Sequence, residues 1–99
     1  MTPNRFIVHY SPGPSWVEGV PLFEQPLQGH AEYQRELLGK GLLEFSGPFL
    51  DRDGGMAVLV TGDETEARRV TDNDPAVLSG VFAVDVAPLL IAVQAGRAE

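Results

Sequence analysis

Few residues in this chain could do chemistry, and the first is His30, in the stretch Gly29-His30-Ala31-Glu32-Tyr33. It is one of two histidines, and the chain has no cysteine. Histidine titrates near neutral pH, so it can take or give a proton under ordinary conditions. Without cysteine there is no thiol nucleophile, no thiolate metal site and no disulfide. Ser46, in Ser46-Gly47-Pro48, lacks the strained elbow that activates a serine nucleophile. Two histidines without a spaced carboxylate cluster predict no metal site, and Gly54-Gly55 reads as a hairpin turn rather than a phosphate loop. No cofactor is expected. His9 alternates with Val8 and Tyr10 and reads as a sheet or interface residue. What remains is proton transfer at His30, with Ser46 or Tyr33 able to position a substrate oxygen.

These groups need elements to hold them. Phe6 to Tyr10 is a compact apolar, β-branched and aromatic run, closed by Ser11-Pro12-Gly13-Pro14, and predicts strand one. Residues 11–26 hold four prolines and two glycines, which excludes regular helix or central strand. Trp16, Leu22 and Phe23 require that loop to pack onto something, either as a lid or tucked against its own domain. Leu27 to Lys40 predicts helix one. At about 100° per residue, Leu27, His30, Ala31, Tyr33, Gln34, Leu37, Leu38 and Gly41 share one arc. Gln28, Gly29, Glu32, Arg35, Glu36, Gly39 and Lys40 fall opposite. His30 is therefore expected about a turn inside the helix and facing inward.

Leu42 to Ser46 predicts strand two, closed by Gly47-Pro48, and Met56 to Thr61 predicts strand three, joined to it through Asp51-Arg52-Asp53-Gly54-Gly55. Asp63 with Glu66 forms a capping-box pattern for helix two, which ends near Asn73. Asp74-Pro75 disfavours helix at Asp74, residues 76–80 turn, and Val81 to Leu89 predicts strand four.

The order β-α-β-β-α-β predicts an α+β, ferredoxin-like fold: an antiparallel sheet with two helices on one face. One end of that fold gathers the proline-rich loop, the start of helix one with His30, Ser46-Gly47-Pro48, and Asp74 at the end of helix two. Alternation places Phe6, Val8, Tyr10, Met56, Val58, Val60, Phe82, Val84 and Val86 on one sheet face. Ile7, His9, Leu59, Ala83 and Asp85 fall on the other, which is apolar enough to predict a homodimer, sheet against sheet.

Residues 1–99 read as one domain, with a core over about 5–89 and a C-terminal extension over 90–99. The net charge of −7 argues against nucleic acid as a partner. No apolar run is long enough to span a bilayer and no signal-peptide pattern precedes strand one, so the expected setting is the cytoplasm.

The chain also resembles the YCII-related (YciI-like) family over residues 6–89. The resemblance rests on His30, on Gly41-Leu42-Leu43 through Ser46-Gly47-Pro48-Phe49, and on Glu66-Ala67. It rests most on Asp74-Pro75-Ala76-Val77 with Gly80-Val81-Phe82, followed by Val86-Ala87-Pro88. It implies a dimeric α+β barrel and a histidine–aspartate centre at His30 and Asp74. A related member removes chloride from a hydroxyquinol-type ring. The chain departs from the family where relatives often carry an arginine before the histidine, since Leu27-Gln28-Gly29 stand there, and at Leu89, where an aromatic is usual. The resemblance implies a lyase- or dehydrochlorinase-like enzyme for a small, aromatic-type molecule. His30 would be its base and Asp74 the orienting partner, with Ser46, Tyr33, Gly47 and Pro48 at the substrate. The alternative is a non-catalytic dimeric module that binds a small ligand in the same pocket.

Overall fold

A computed structural model of the chain describes residues 1–96. Four strands, β1 (Arg5–Pro12), β2 (Leu43–Pro48), β3 (Gly55–Leu59) and β4 (Phe82–Leu89), form one antiparallel sheet in the order β2-β3-β1-β4. Three α-helices accompany it: α1 (His30–Gly39), α2 (Glu64–Asp72) and the short α3 (Pro75–Leu78), and a single 3-10 turn, Leu22–Glu24, lies in the proline-rich loop. This is the expected α+β, ferredoxin-like arrangement with one addition. Residues expected to turn after Asp74 instead form α3.

The core lies between one sheet face and the helices. Phe6, Val8, Tyr10, Ala57, Leu59 and Val86 meet Leu37, Ala67, Val70 and Ala76, all buried. Burial of the larger aliphatic and aromatic side chains among these is worth roughly 1.5–3 kcal/mol each. On β1 and β4 the expected alternation holds, because Val8 pairs with Val86 and Tyr10 with Val84. On β3 it is shifted by one residue. Phe6 pairs with Leu59 and Val8 with Ala57, so Leu59 and Ala57 enter the core. Val58 and Met56 pair with Ile7 and His9 and lie on the outer face. A one-residue slip inverts every side chain of a strand. In Gly55-Met56-Ala57-Val58-Leu59, apolar side chains follow one another without alternation, so the pattern does not fix the parity.

A bulge in β2 between Leu43 and Phe45 has a consequence at the site. Leu43 pairs with Leu59 on the core side, and the extra residue turns Phe45 outward opposite Val58. Ser46 then returns to the inner face opposite Ala57. Bulges re-aim side chains in this way.

Helix α1 begins at His30, three residues later than the apolar arc suggests. Gln28 and Gly29 both have left-handed backbones, with φ of 60° and 94°. A right-handed helix cannot run through them. Helix α2 starts as expected: Asp63 accepts the Glu66 N–H at 2.8 Å, while the Glu66 carboxylate takes the Gly62 N–H at 2.8 Å. The proline-rich loop packs rather than floats. Trp16 is buried against Phe82, and Gln25 braces the loop through Val17 and Val20. Residues 90–96 carry no helix or strand, and the Ile91 N–H donates to Asn4 Oδ1 at 2.9 Å; residues 97–99 of the expected extension lie outside the described residues.

Candidate active site

Asp74 sits at the junction of α2 and α3. The residue before a proline is driven to extended geometry, and Asp74 has φ −63° and ψ 127°. That geometry makes it the N-cap of α3, with Pro75 inside the first turn. Its Oδ1 accepts the Ala76 N–H at 2.9 Å. The carboxyl is 1% exposed, so its second oxygen also needs a donor. His30 supplies it: Nδ1 lies 2.6 Å from Asp74 Oδ2 across 44 residues of sequence. An ionised carboxylate only accepts, so we assign the ring proton to Nδ1 and leave Nε2 with the lone pair.

The imidazole is held by more than this bond. Tyr10 and Phe82 meet it edge-on, with ring centroids at 5.5 Å and 5.2 Å. Gln34, one turn after His30, points Nε2 to the Tyr10 hydroxyl at 3.3 Å and more distantly to Asp74 Oδ2 at 3.5 Å. Its Oε1 is buried with no partner among the described residues. Burial pushes the Tyr10 phenol well above its ordinary range, and the Asp74 carboxylate adds to this, against a smaller lowering by Gln34. The Tyr33 phenol is also raised, first by burial and then by Asp74.

Beside His30 lies a cleft of about 300 Å³. Leu22, Phe23 and Leu27 come from the loop, and His30, Ala31, Gln34 and Arg35 from α1. Ser46, Gly47, Pro48, Gly55 and Met56 come from the β2–β3 end, and Tyr10 and Phe82 from β1 and β4. The size and largely apolar lining suit one small molecule. Among the described residues, no group of three or more His, Cys, Asp and Glu side chains could hold a metal ion. No helix there is long and apolar enough to cross a membrane.

The geometry brings His30, Asp74, Ser46, Gly47 and Pro48 to one end of the fold. Tyr33 goes elsewhere: its hydroxyl donates to the Val70 carbonyl at 2.7 Å, tying α1 to α2. His30 is at the first position of α1, not a turn inside it. A model of the YCII-related domain matches residues 15–89. The chain belongs to the YCII-related family. No curated protein matches it. In this YCII-related chain, Tyr10, Gln34, Arg35 and Phe82 join the site without having been singled out. Gln34 follows His30 by four residues, a spacing that shares a helix face and could have flagged it.

Proposed function

We propose that this YCII-related protein is a small-molecule acid–base enzyme in which His30 Nε2 removes a proton from a ligand in the cleft. The observation that carries this reading is the 2.6 Å bond from the buried Asp74 carboxylate to His30 Nδ1, beside an apolar cleft. Asp74 fixes the ring's tautomer and orientation, so Nε2 is the basic atom. Ser46, which the β2 register sets opposite Ala57 and which lines the cleft, offers a hydroxyl donor for an oxygen that gains charge as the proton leaves. Proton abstraction beside a carbonyl, or from a phenol, leads to isomerisation or elimination. A positioned base contributes about 10²–10⁴-fold to such a step.

The test is hydrogen exchange in heavy water. The protein is incubated with small keto acids and hydroxylated aromatics, and loss of the exchangeable C–H signal is followed by proton NMR. Wild type should exchange at least one class, and His30→Gln should slow this about 10²–10⁴-fold. Asp74→Asn keeps an oxygen for the Ala76 N–H and turns the other arm into a donor, so it should stay folded yet lose exchange too. Exchange that survives both substitutions in folded protein would sink the proposal. A second reading, a non-catalytic binding module, draws on the lining itself, which is apolar apart from a few groups. It would be favoured by a ligand that co-purifies and is released unchanged.

We further infer that the outer sheet face joins two copies of the chain. Phe45 is 55% exposed there, across from Val58 and beyond it Ile7. An apolar face of that kind marks an interaction surface.

A further inference from the structure

Fourteen acidic residues face seven basic ones in this chain, so cations have partners in excess. Six of the seven are described, and five of them are paired. Arg5 meets Glu44, Lys40 meets Glu36, Arg52 meets Asp51, Arg68 meets Glu64, and Arg69 meets Glu66. Arg35 forms no ion pair among the described residues, although Glu32 and Glu36 flank it on α1. It is also the one described cation that lines the cleft.

The helix explains how Arg35 reaches the cleft. α1 presents two adjacent rows to it: His30 and Gln34, then Ala31 and Arg35. Ala31 is the small member of the second row, and its methyl leaves room over the preceding turn, the direction in which a helical side chain leans. His30 and Arg35 are separated by about 7.5 Å along the axis, from a rise of about 1.5 Å per residue. The same cleft is lined by the apolar Leu22, Phe23, Leu27 and Phe82. A guanidinium is a planar fork that matches a carboxylate, and it gains strength beside apolar walls. In a protein of net charge −7, an unpaired guanidinium is also what offsets the repulsion an anionic ligand would meet.

We propose that Arg35 anchors the carboxylate of the ligand, so that the substrate class is a one-ring or similarly short carboxylic acid whose acidic C–H or O–H lies toward His30. This rests on the cleft being the ligand site, as proposed above. The ligand's apolar body would lie against Phe82, Leu22 and Phe23, with its charged end at the rim where Arg35 stands.

Matched probes separate the two ideas. The full chain is titrated with para-hydroxybenzoate and with its methyl ester, and backbone amide shifts are followed by heteronuclear NMR. Both should move the amides of Ala31, Gln34 and Phe82, with the acid binding about tenfold or more tightly. Arg35→Gln should bring the acid down to the ester's affinity and leave the ester unchanged. Arg35→Lys should keep part of the preference, because it keeps the charge but not the fork. Arg35 is exposed, so a thermal melt should confirm that both variants stay folded. Equal affinity for acid and ester in wild type, or a preference that survives Arg35→Gln, would overturn the anchor and leave the cleft reading standing. If neither probe moves the cleft amides, the cleft reading fails and the anchor falls with it.

Discussion

Asp74 holds two parts of the molecule with its two oxygens. Oδ1 caps α3 through Ala76 and Oδ2 orients His30, so neither oxygen is spare. Tyr10 stands on the other side of the same carboxylate, through Gln34 and the edge of the His30 ring. Its phenol is favoured neutral in the fold, first by burial and then by Asp74. The folded state therefore keeps that proton to higher pH than the unfolded chain, whose tyrosine titrates near its ordinary value of 10.0. Unfolding releases a proton above that value. Stability should thus be insensitive to this group below about pH 10 and fall as pH rises beyond it. The raised Tyr33 phenol acts in the same direction. Melting temperatures across alkaline pH should show this decline, and Tyr10→Phe should make it shallower; an unchanged slope would contradict the assignment. At this scale, His30 facing inward was legible from the helical arc. Arg35 was not, because the arc counts apolar neighbours and an arginine on the rim of a cleft looks like one on the wet face.

The elements set where those residues stand, and their ends do most of the positioning. Helix α1 starts at His30 because Gly29 sits at φ 94°, after Gln28 at φ 60°. Nothing lies within contact of a methyl group added at Gly29, so Gly29→Ala isolates backbone strain from crowding. The left-handed geometry costs an L-residue about 1–2 kcal/mol. Urea denaturation should show Gly29→Ala less stable by about that amount, a melting point lower by roughly 4–8 °C per kcal/mol for a domain of this size. The strain falls directly before His30, so ligand-induced shifts at His30 should change as well. The order of strands and of the two long helices followed from periodicity and from the Asp63–Glu66 cap. The third helix did not. Asp74-Pro75 is both a stop for α2 and a start for α3, since an Asp N-cap followed by proline is also how a helix begins. The β2 bulge that turns Ser46 inward had no sequence signal, as it depends on which residues of β3 lie opposite.

At the scale of the whole molecule, the helices occupy one sheet face and leave the other to account for itself. That face carries Ile7, Phe45, Met56 and Val58, relieved by His9 and Asp85, which pair across β1 and β4. The His9 ring lies 5.5 Å from Phe49, and Arg52 lies 5.2 Å over the same Phe49 ring. Apolar side chains therefore run from the β2 edge across β3 to β1 on a face that no helix covers, which supports the pairing of two copies proposed above. A domain of 99 residues buries a limited share of its surface alone, so covering this face adds core that the monomer lacks. The chain should therefore sediment at twice its monomer mass at high micromolar concentration. Phe45 is the residue to test, because it is half exposed in one copy and its replacement leaves the core between sheet and helices untouched. Phe45→Glu should shift the protein to monomer while far-ultraviolet circular dichroism stays native. A two-fold contact over this face would bury that charge on both copies without a partner, which costs far more than leaving it in water. Val58→Ala is the contrasting variant: Val58 is 6% exposed within a single copy, so its loss should lower the melting point whether or not a partner is present. A wild-type protein that remains monomeric at those concentrations would remove the sheet-to-sheet pairing.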